Sequence, residues 1–119
     1  MCSSGHALRT LRIRGVHPDV ATFYSLLGSV YSNKGDYTKA IEYHVKALAI
    51  RLKTFGAEHP DVATSYNNLG IVYKAKADYT KAIEYYEKCL AIRLKTLGAE
   101  HPRTKMAQHN LELAIKAKK

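Results

Sequence analysis

Cysteine, proline and long apolar runs are scarce in this sequence, and each scarcity excludes a class of protein. Of the 119 residues, two are cysteines and three are prolines. Cys2 and Cys89 are too few for the disulfide framework of a small secreted domain. No apolar run approaches the roughly 18–20 residues that a membrane-spanning helix needs, and the first ten residues lack the apolar stretch of a secretory signal. We therefore expect one compact unit in the reducing cytoplasm, without a membrane contact.

Acidic residues are also few. The sequence has 10 Asp and Glu against 19 Lys and Arg, which gives a formal net charge of +9. This balance is typical of proteins with an acidic partner, whether a peptide, a nucleic acid or a membrane surface. It is also typical of a solvated basic surface that only maintains solubility. The basic residues form no dense run, so both interpretations stay open, and within the first we favour a peptide over nucleic acid.

The most informative feature of the chain is a segment that occurs twice. Residues 17–58 and 59–100 align without a gap, and 31 of the 42 positions are identical. A third copy begins at His101. A fixed period of this length indicates a stack of repeated units, whose usual product is a binding surface. We divide the chain into an N-terminal segment (1–16), a first repeat (17–58), a second repeat (59–100) and a truncated third repeat (101–119).

Each repeat shows the pattern of a helical hairpin. In its first half, apolar or small residues recur at helical spacing after a His-Pro-Asp start. In its second half, Asp36 and Asp78 precede another apolar stripe as N-caps, and Gly56 and Gly98 follow it as C′ glycines. The predicted helices span about 18–34, 37–55, 60–76, 79–97 and 102–117.

The signature residues of these helices resemble those of the tetratricopeptide repeat. They match its aromatic, Leu-Gly, Tyr, Ala, aromatic and small positions, and the small ones allow two helices to approach closely. The matched residues are Tyr24, Leu27, Gly28, Tyr31, Ala40, Ala47, Tyr66, Leu69, Gly70, Tyr73, Ala82, Tyr86 and Cys89. The period of 42 residues, instead of about 34, resembles the kinesin light chain type. The resemblance implies an all-α, right-handed α-solenoid of antiparallel helix hairpins, with two full repeats and a C-terminal capping helix.

The two ends of the array differ from its middle. In the third copy Glu112 stands at the glycine position, so we expect a cap that keeps Leu111 and Ile115 inward and is polar outside. At the other end, residues 7–14 resemble a worn remnant of a preceding second helix. Because arrays usually need three or more repeats, we expect the N-terminal end to associate with another copy, as a homodimer or by helix exchange.

Differences between the two copies predict the binding surface. Eleven positions differ, and seven lie between residues 23 and 35. Three of them follow a helical stripe, and in the family that stripe lines the concave face. The predicted peptide-binding residues are Thr22, Ser25, Ser29, Ser32, Thr64, Asn67, Asn68, Ile71 and Lys74. Exposed residues also vary freely without any function, but the charged positions that we expect to be exposed on the second helix are identical in both copies. Those positions are Lys39, Glu42, Lys46, Arg51 and Lys53.

The residue types in this stripe suggest its ligand. Asn67 can hydrogen bond an extended peptide backbone, Ile71 offers an apolar contact, and Lys74 can pair with a carboxylate. Kinesin light chain-type repeats bind acidic peptides that carry a tryptophan, so the resemblance implies a similar ligand. The sequence predicts a protein interaction module, of scaffold or adaptor type, for an extended, acidic-leaning peptide. The alternative is a basic helical-repeat protein that binds nucleic acid.

No group of residues predicts catalysis, a metal site or a cofactor. His17, His59 and His101 recur once per repeat, but neighbouring helices lie about 8–10 Å apart, too far for shared ligation near 2 Å. His44 lies on an apolar stripe and is predicted to be packed, and Cys89 is predicted to be a buried, inert thiol. We therefore expect a protein that is not an enzyme.

Overall fold

Five consecutive α-helices form the part of the chain that the computed structural model describes, residues 18–119. The N-terminal segment, with its expected helix remnant, and Cys2 and His17 lie outside the described residues. Within residues 18–119 there is no β-strand. The helices pack in sequence as two antiparallel hairpins followed by a single helix, as the sequence predicts. They are α1 (Pro18–Asn33), α2 (Tyr37–Phe55), α3 (Pro60–Ala75), α4 (Tyr79–Leu97) and α5 (Pro102–Lys118).

Short polar signals in the sequence set the helix ends. The Asp36 carboxylate accepts a hydrogen bond of 3.2 Å from the amide of Lys39, and Asp78 caps α4 in the same way. The second helix of each hairpin ends where Gly56 and Gly98 adopt φ angles of +88° and +87°, which only glycine takes without strain. The predicted caps and the predicted helix boundaries are confirmed to within a few residues.

The two helices of a hairpin meet closely at a glycine. A Cβ atom added to Gly28 would lie 2.7 Å from the ring of His44, and one added to Gly70 would lie 2.7 Å from the ring of Tyr86. His44 and Tyr86 are each 2% exposed. Since Cβ contacts below 3.0 Å essentially do not occur in proteins, these two positions require glycine.

The signature tyrosines stack along one edge of each hairpin. Tyr43 of α2 lies between Tyr24 and Tyr31 of α1, with ring centroids 5.9 and 5.5 Å apart. In the second hairpin Tyr85 stacks in the same way between Tyr66 and Tyr73. The rings are half-buried. They hold the two helices side by side at the edge, while glycine and alanine do so in the core.

The hairpins stack through an apolar core and a buried arginine. Val62 and Ala63 of α3 are fully buried, and Leu48 and Leu52 of α2 pack against their cluster. The expectation that Arg51 is exposed was wrong, because α3 covers it.

Arg51 is 8% exposed and donates a 2.9 Å hydrogen bond from Nη1 to the hydroxyl of Ser65. Burial lowers the pKa of Arg51, while the Asp61 carboxylate acts in the opposite direction.

Helix α5 covers the second hairpin. Ala114 is fully buried, Leu111 is half-buried beside it, and Glu112 is exposed. The expectation that Ile115 points inward was wrong, since its side chain is 38% exposed. Ile115 corresponds to Tyr73, whose ring stacks on the following helix, and residues 18–119 contain no such helix beside Ile115. No helix within residues 18–119 has both the length and the apolar character required to cross a membrane.

Candidate functional site

The predicted binding residues of the first repeat lie along α1. Thr22 and Ser29 are exposed, whereas Ser25 and Ser32 are half-buried. The Ser25 hydroxyl is itself buried and has no hydrogen-bond partner among the described residues. This part of the stripe therefore consists of small hydroxyl side chains that differ in exposure.

The predicted residues of the second repeat lie along α3 and differ more widely in their exposure. Ile71 is 46% exposed, and Thr64, Asn68 and Lys74 are half-buried. Asn67 is 9% exposed.

The carbonyl of Asn67 accepts a 3.1 Å hydrogen bond from the side-chain amide of Asn110 on α5. Asn67, which the sequence predicts to bind a peptide backbone, therefore makes a hydrogen bond between α3 and α5. This hydrogen bond links the two helices on the side of the predicted stripe.

Helix α5 extends the same stripe, which sequence reasoning missed. A shift of 42 residues from the α3 positions leads to Met106, His109, Leu113 and Lys116. All four are exposed, Met106 to 53% and Leu113 to 38%. The alignment of the third copy contains the signal, because these positions follow the same 42-residue period. We call the surface formed by the stripes of α1, α3 and α5 the helix-A face.

The helix-A face is apolar and basic at its C-terminal end. Ile71, Met106 and Leu113 provide exposed apolar area, and Lys74 and Lys116 follow one turn further along α3 and α5. None of the twelve stripe positions on α1, α3 and α5 is an aspartate or glutamate. A ligand with apolar and acidic groups matches this arrangement better than a basic one.

Other features of the described residues do not assemble a reaction site. No group of three or more metal-ligating side chains occurs within residues 18–119. A shallow, open depression of about 400 Å³ on α4 is lined by Glu84, Glu87, Lys88 and Ala91 and lies away from the helix-A face. Two glutamates on an open surface do not provide the enclosed pocket that a small-molecule site usually has.

Two reactive residue types are buried in the scaffold. Cys89 is a free cysteine, fully buried, and burial raises the pKa of its thiol, although Arg93 opposes the shift. Burial likewise lowers the pKa of His44 to about 4, with a further contribution from Arg51. A protonated thiol and a neutral imidazole inside the core are packing groups.

A protein-family model for the tetratricopeptide repeat matches residues 19–95, which is more than half of the chain. The chain belongs to the tetratricopeptide repeat family. No curated protein matches this tetratricopeptide repeat chain. The matched residues cover nearly all of the two hairpins, α1 to α4.

Solved structures similar to the chain include kinesin light chain repeat proteins. One is described as a kinesin light chain from Podosopora anserina with nearly identical TPR-like repeats, with a TM-score of 0.76 and 33% sequence identity over 86% of this chain. Another is BtubC (BKLC) from P. vanneervenii, with a TM-score of 0.77 and 29% identity over 86% of this chain. The chain spans 48% and 41% of these two structures, about half of their length. Tetratricopeptide repeats mediate protein–protein interactions and form a scaffold family rather than a catalytic one.

Proposed function

We propose that this tetratricopeptide repeat chain binds an extended, acidic-leaning peptide on its helix-A face, as a scaffold or adaptor. The observation that carries the proposal is the composition of that face, where exposed apolar side chains and two lysines occur without a carboxylate. The two hairpins are identical over most of the scaffold but differ along this stripe. Such variation on a constant framework is expected of a surface adapted to a particular ligand.

Different parts of the face have different roles in this proposal. Ile71, Met106 and Leu113 contact an apolar side chain of the peptide, and an aromatic residue supplies the most area for burial. Lys74 and Lys116 pair with carboxylates beside it. Asn67 acts indirectly, since its bond to Asn110 holds α3 and α5 at the spacing that the peptide spans.

The test is a titration of isotope-labelled protein with an acidic peptide that carries one tryptophan. We expect shifts of the amide signals of Ile71, Lys74 and Leu113, and an affinity that falls as salt rises. Lys74→Glu and Lys116→Glu should each weaken binding by about two- to fivefold, since one exposed ion pair contributes up to about 1 kcal/mol.

Lys53→Glu is the matched control, because this exposed lysine lies on α2 and off the stripe. The same peptide with glutamine in place of glutamate is the control for charge. Amide signals of α3 and α5 that do not shift at saturating peptide would refute the proposed site. Equal losses for Lys53→Glu and Lys74→Glu would refute the role of the helix-A lysines.

The formal net charge of +9 favours nucleic acid as a second candidate ligand. In that case binding to a random oligonucleotide would fall steeply with salt, because each neutralised phosphate releases a counterion. The affected amides would then follow the exposed lysines of α2 and α4 as well as the helix-A face. Competition between the oligonucleotide and the acidic peptide distinguishes a shared basic surface from two separate ones.

We also propose the setting in which the module acts. The repeat units are 17–58, 59–100 and 101–119, and a buried free thiol at Cys89 suits the reducing cytoplasm. The N-terminal end of the array associates with another copy of the chain. What supports this is an exposed apolar surface on α1, the first described helix.

A further inference from the structure

We propose that α1 carries a two-fold interface, on which a second copy of this chain docks through the same helix. Phe23, Leu26 and Val30 are 58%, 61% and 48% exposed. Their offsets of 0, 3 and 7 residues place them on one side of the helix. We call this stripe the α1 face. The proposal rests on the proposed self-association and names the surface that performs it.

Comparison with the second repeat shows that the α1 face lacks a covering helix among the described residues. The residues one period later are Ser65, Asn68 and Val72. Ser65 and Val72 are 0% and 1% exposed, and Asn68 is half-buried. They are covered because the first hairpin packs on α3, and Ser65 receives the hydrogen bond from Arg51. The corresponding positions of α1 are apolar but uncovered in residues 18–119.

The side chain of Phe23 shows that a further hairpin of the same sequence does not fit there. At the two internal junctions this position is a small residue, Ser65 or Ala107, each 0% exposed. A buried arginine of the preceding helix, Arg51 or Arg93, lies at each of these junctions. Phenylalanine would occupy the space that the arginine needs, so the α1 face requires a different occupant.

Charge favours a second copy as that occupant. Asp19 is the only charged residue between Pro18 and Asn33, so α1 contains no positive charge in a chain of net charge +9. Two copies that meet through α1 keep their lysines apart. Each of the other four helices carries at least one lysine, so a symmetric contact through any of them would bring lysines of the two copies closer, which opposes association.

The opposite end of the array does not match the α1 face. On α5 the positions that would receive another helix include Gln108 and Glu112, both exposed. A polar surface does not cover Phe23 and Leu26, so stacking of the α5 end on α1 is disfavoured. The α1 face matches itself, and an isologous contact of this kind closes into a dimer.

The size of the α1 face predicts a weak dimer. A helix of 16 residues is about 24 Å long, and two such helices bury less than the roughly 800 Å² per partner of a standard interface. We therefore expect a dissociation constant on the order of 10–100 µM.

The experiment is sedimentation equilibrium of the full chain from well below to well above that range. Phe23→Ser and Leu26→Asn introduce the residues of the second repeat. Both positions are exposed, so the folded state remains intact, and helical circular dichroism verifies this. Each variant should weaken dimerisation at least about tenfold, because a symmetric contact loses the side chain twice. Met106→Thr, which introduces the second-repeat residue Thr64 at another exposed apolar position, should leave dimerisation unchanged.

Three results would overturn the proposal, and they differ in what else they exclude. A wild-type chain that stays monomeric throughout the range excludes both the α1 interface and self-association. Dimers that persist in Phe23→Ser and Leu26→Asn exclude the α1 face alone. The third result is a monomeric protein whose conformational stability falls on Phe23→Ser but not on Met106→Thr. That result would show that residues 1–17 of the same chain cover the α1 face.

Discussion

The protein should lose stability in mild acid through one buried histidine. His44 is 2% exposed, its ring faces Gly28, and its Nδ1 has no hydrogen-bond partner among the described residues. Burial, together with the positive charge of Arg51, lowers the pKa of His44 to about 4 from an ordinary value of 6.5. The folded protein therefore keeps the imidazole neutral at pH values where the unfolded chain already protonates it.

The sign and the size of the effect follow from that difference. Between pH 6.5 and 4 the unfolded state binds one proton more than the folded state, so the free energy of unfolding falls as the pH falls. The contribution is fully present above pH 6.5 and is lost as the pH falls through about 4. Since one pKa unit corresponds to about 1.4 kcal/mol, the complete loss is about 3 kcal/mol, and about 2 kcal/mol is lost by pH 5.

The assay is urea denaturation between pH 7.5 and 4.5, on the natural chain and on His44→Tyr. Tyrosine is the residue of the second hairpin at this position, where Tyr86 packs on Gly70, so the variant keeps a ring over Gly28. Histidines elsewhere, including the helix caps His59 and His101, are present in both proteins and cancel in the difference. The natural chain should lose about 2 kcal/mol more than His44→Tyr between pH 7.5 and 5. Parallel pH profiles of the two proteins would refute the reasoning.

Two further predictions concern the backbone and the helix crossing, both measured by urea denaturation at pH 7.5. Ala77 has a φ angle of +69°, in the left-handed region, and Gly35 takes a positive φ at the matching position of the first hairpin. Ala77→Gly should therefore raise the free energy of unfolding by about 1 kcal/mol. Gly35→Ala should lower it by a similar amount. Equal signs for the two changes would contradict this account. Gly70→Val should cost at least about 2 kcal/mol, because a Cβ there meets the Tyr86 ring at 2.7 Å. The control is Ala75→Val, at an exposed position near the end of the same helix, which should cost under about 1 kcal/mol. Similar losses at both positions would show that the helix crossing tolerates a larger side chain at Gly70.

Helix boundaries could be predicted because their signals are local. An aspartate that accepts from the amide three residues later, a His-Pro start and a glycine with positive φ each act within one turn of the chain. The glycine crossing was also predictable, since Gly28 and its copy Gly70 interrupt otherwise regular helices. These signals need no knowledge of what the neighbouring hairpin does.

Exposure was harder to predict, because it depends on residues far away in sequence. Arg51 belongs by type to a set of exposed basic residues, yet Ser65 of the next hairpin accepts its hydrogen bond. Ile115 continues an apolar stripe, but no other helix of residues 18–119 covers it, and it is 38% exposed. The Asn67 side chain has the donors and acceptors to bind a peptide backbone. Its observed partner is Asn110, which lies 43 residues later in the sequence. Each outcome was decided by packing between repeats, which a pattern within one repeat does not contain.

The two junctions between hairpins are chemically unequal, and this has a consequence for how the array unfolds. At the first junction Arg51 has a hydroxyl acceptor and a nearby carboxylate. At the second, Arg93 is 4% exposed, donates to the backbone carbonyl of Arg103, and has a buried Nε without a partner among the described residues. Thr104 and Asn110 of α5 add hydrogen bonds to the Arg93 carbonyl and to the Asn67 side chain.

In a linear array, cooperativity passes only through such nearest-neighbour contacts. Within residues 18–119, α3 packs between two hairpins, whereas α5 packs on one. Opening should therefore reach α5 before α3. Amide hydrogens of α5 should exchange with solvent sooner than those of α3. Because α5 carries the apolar and basic end of the helix-A face, part of the proposed recognition surface lies on a helix that is expected to open before α3.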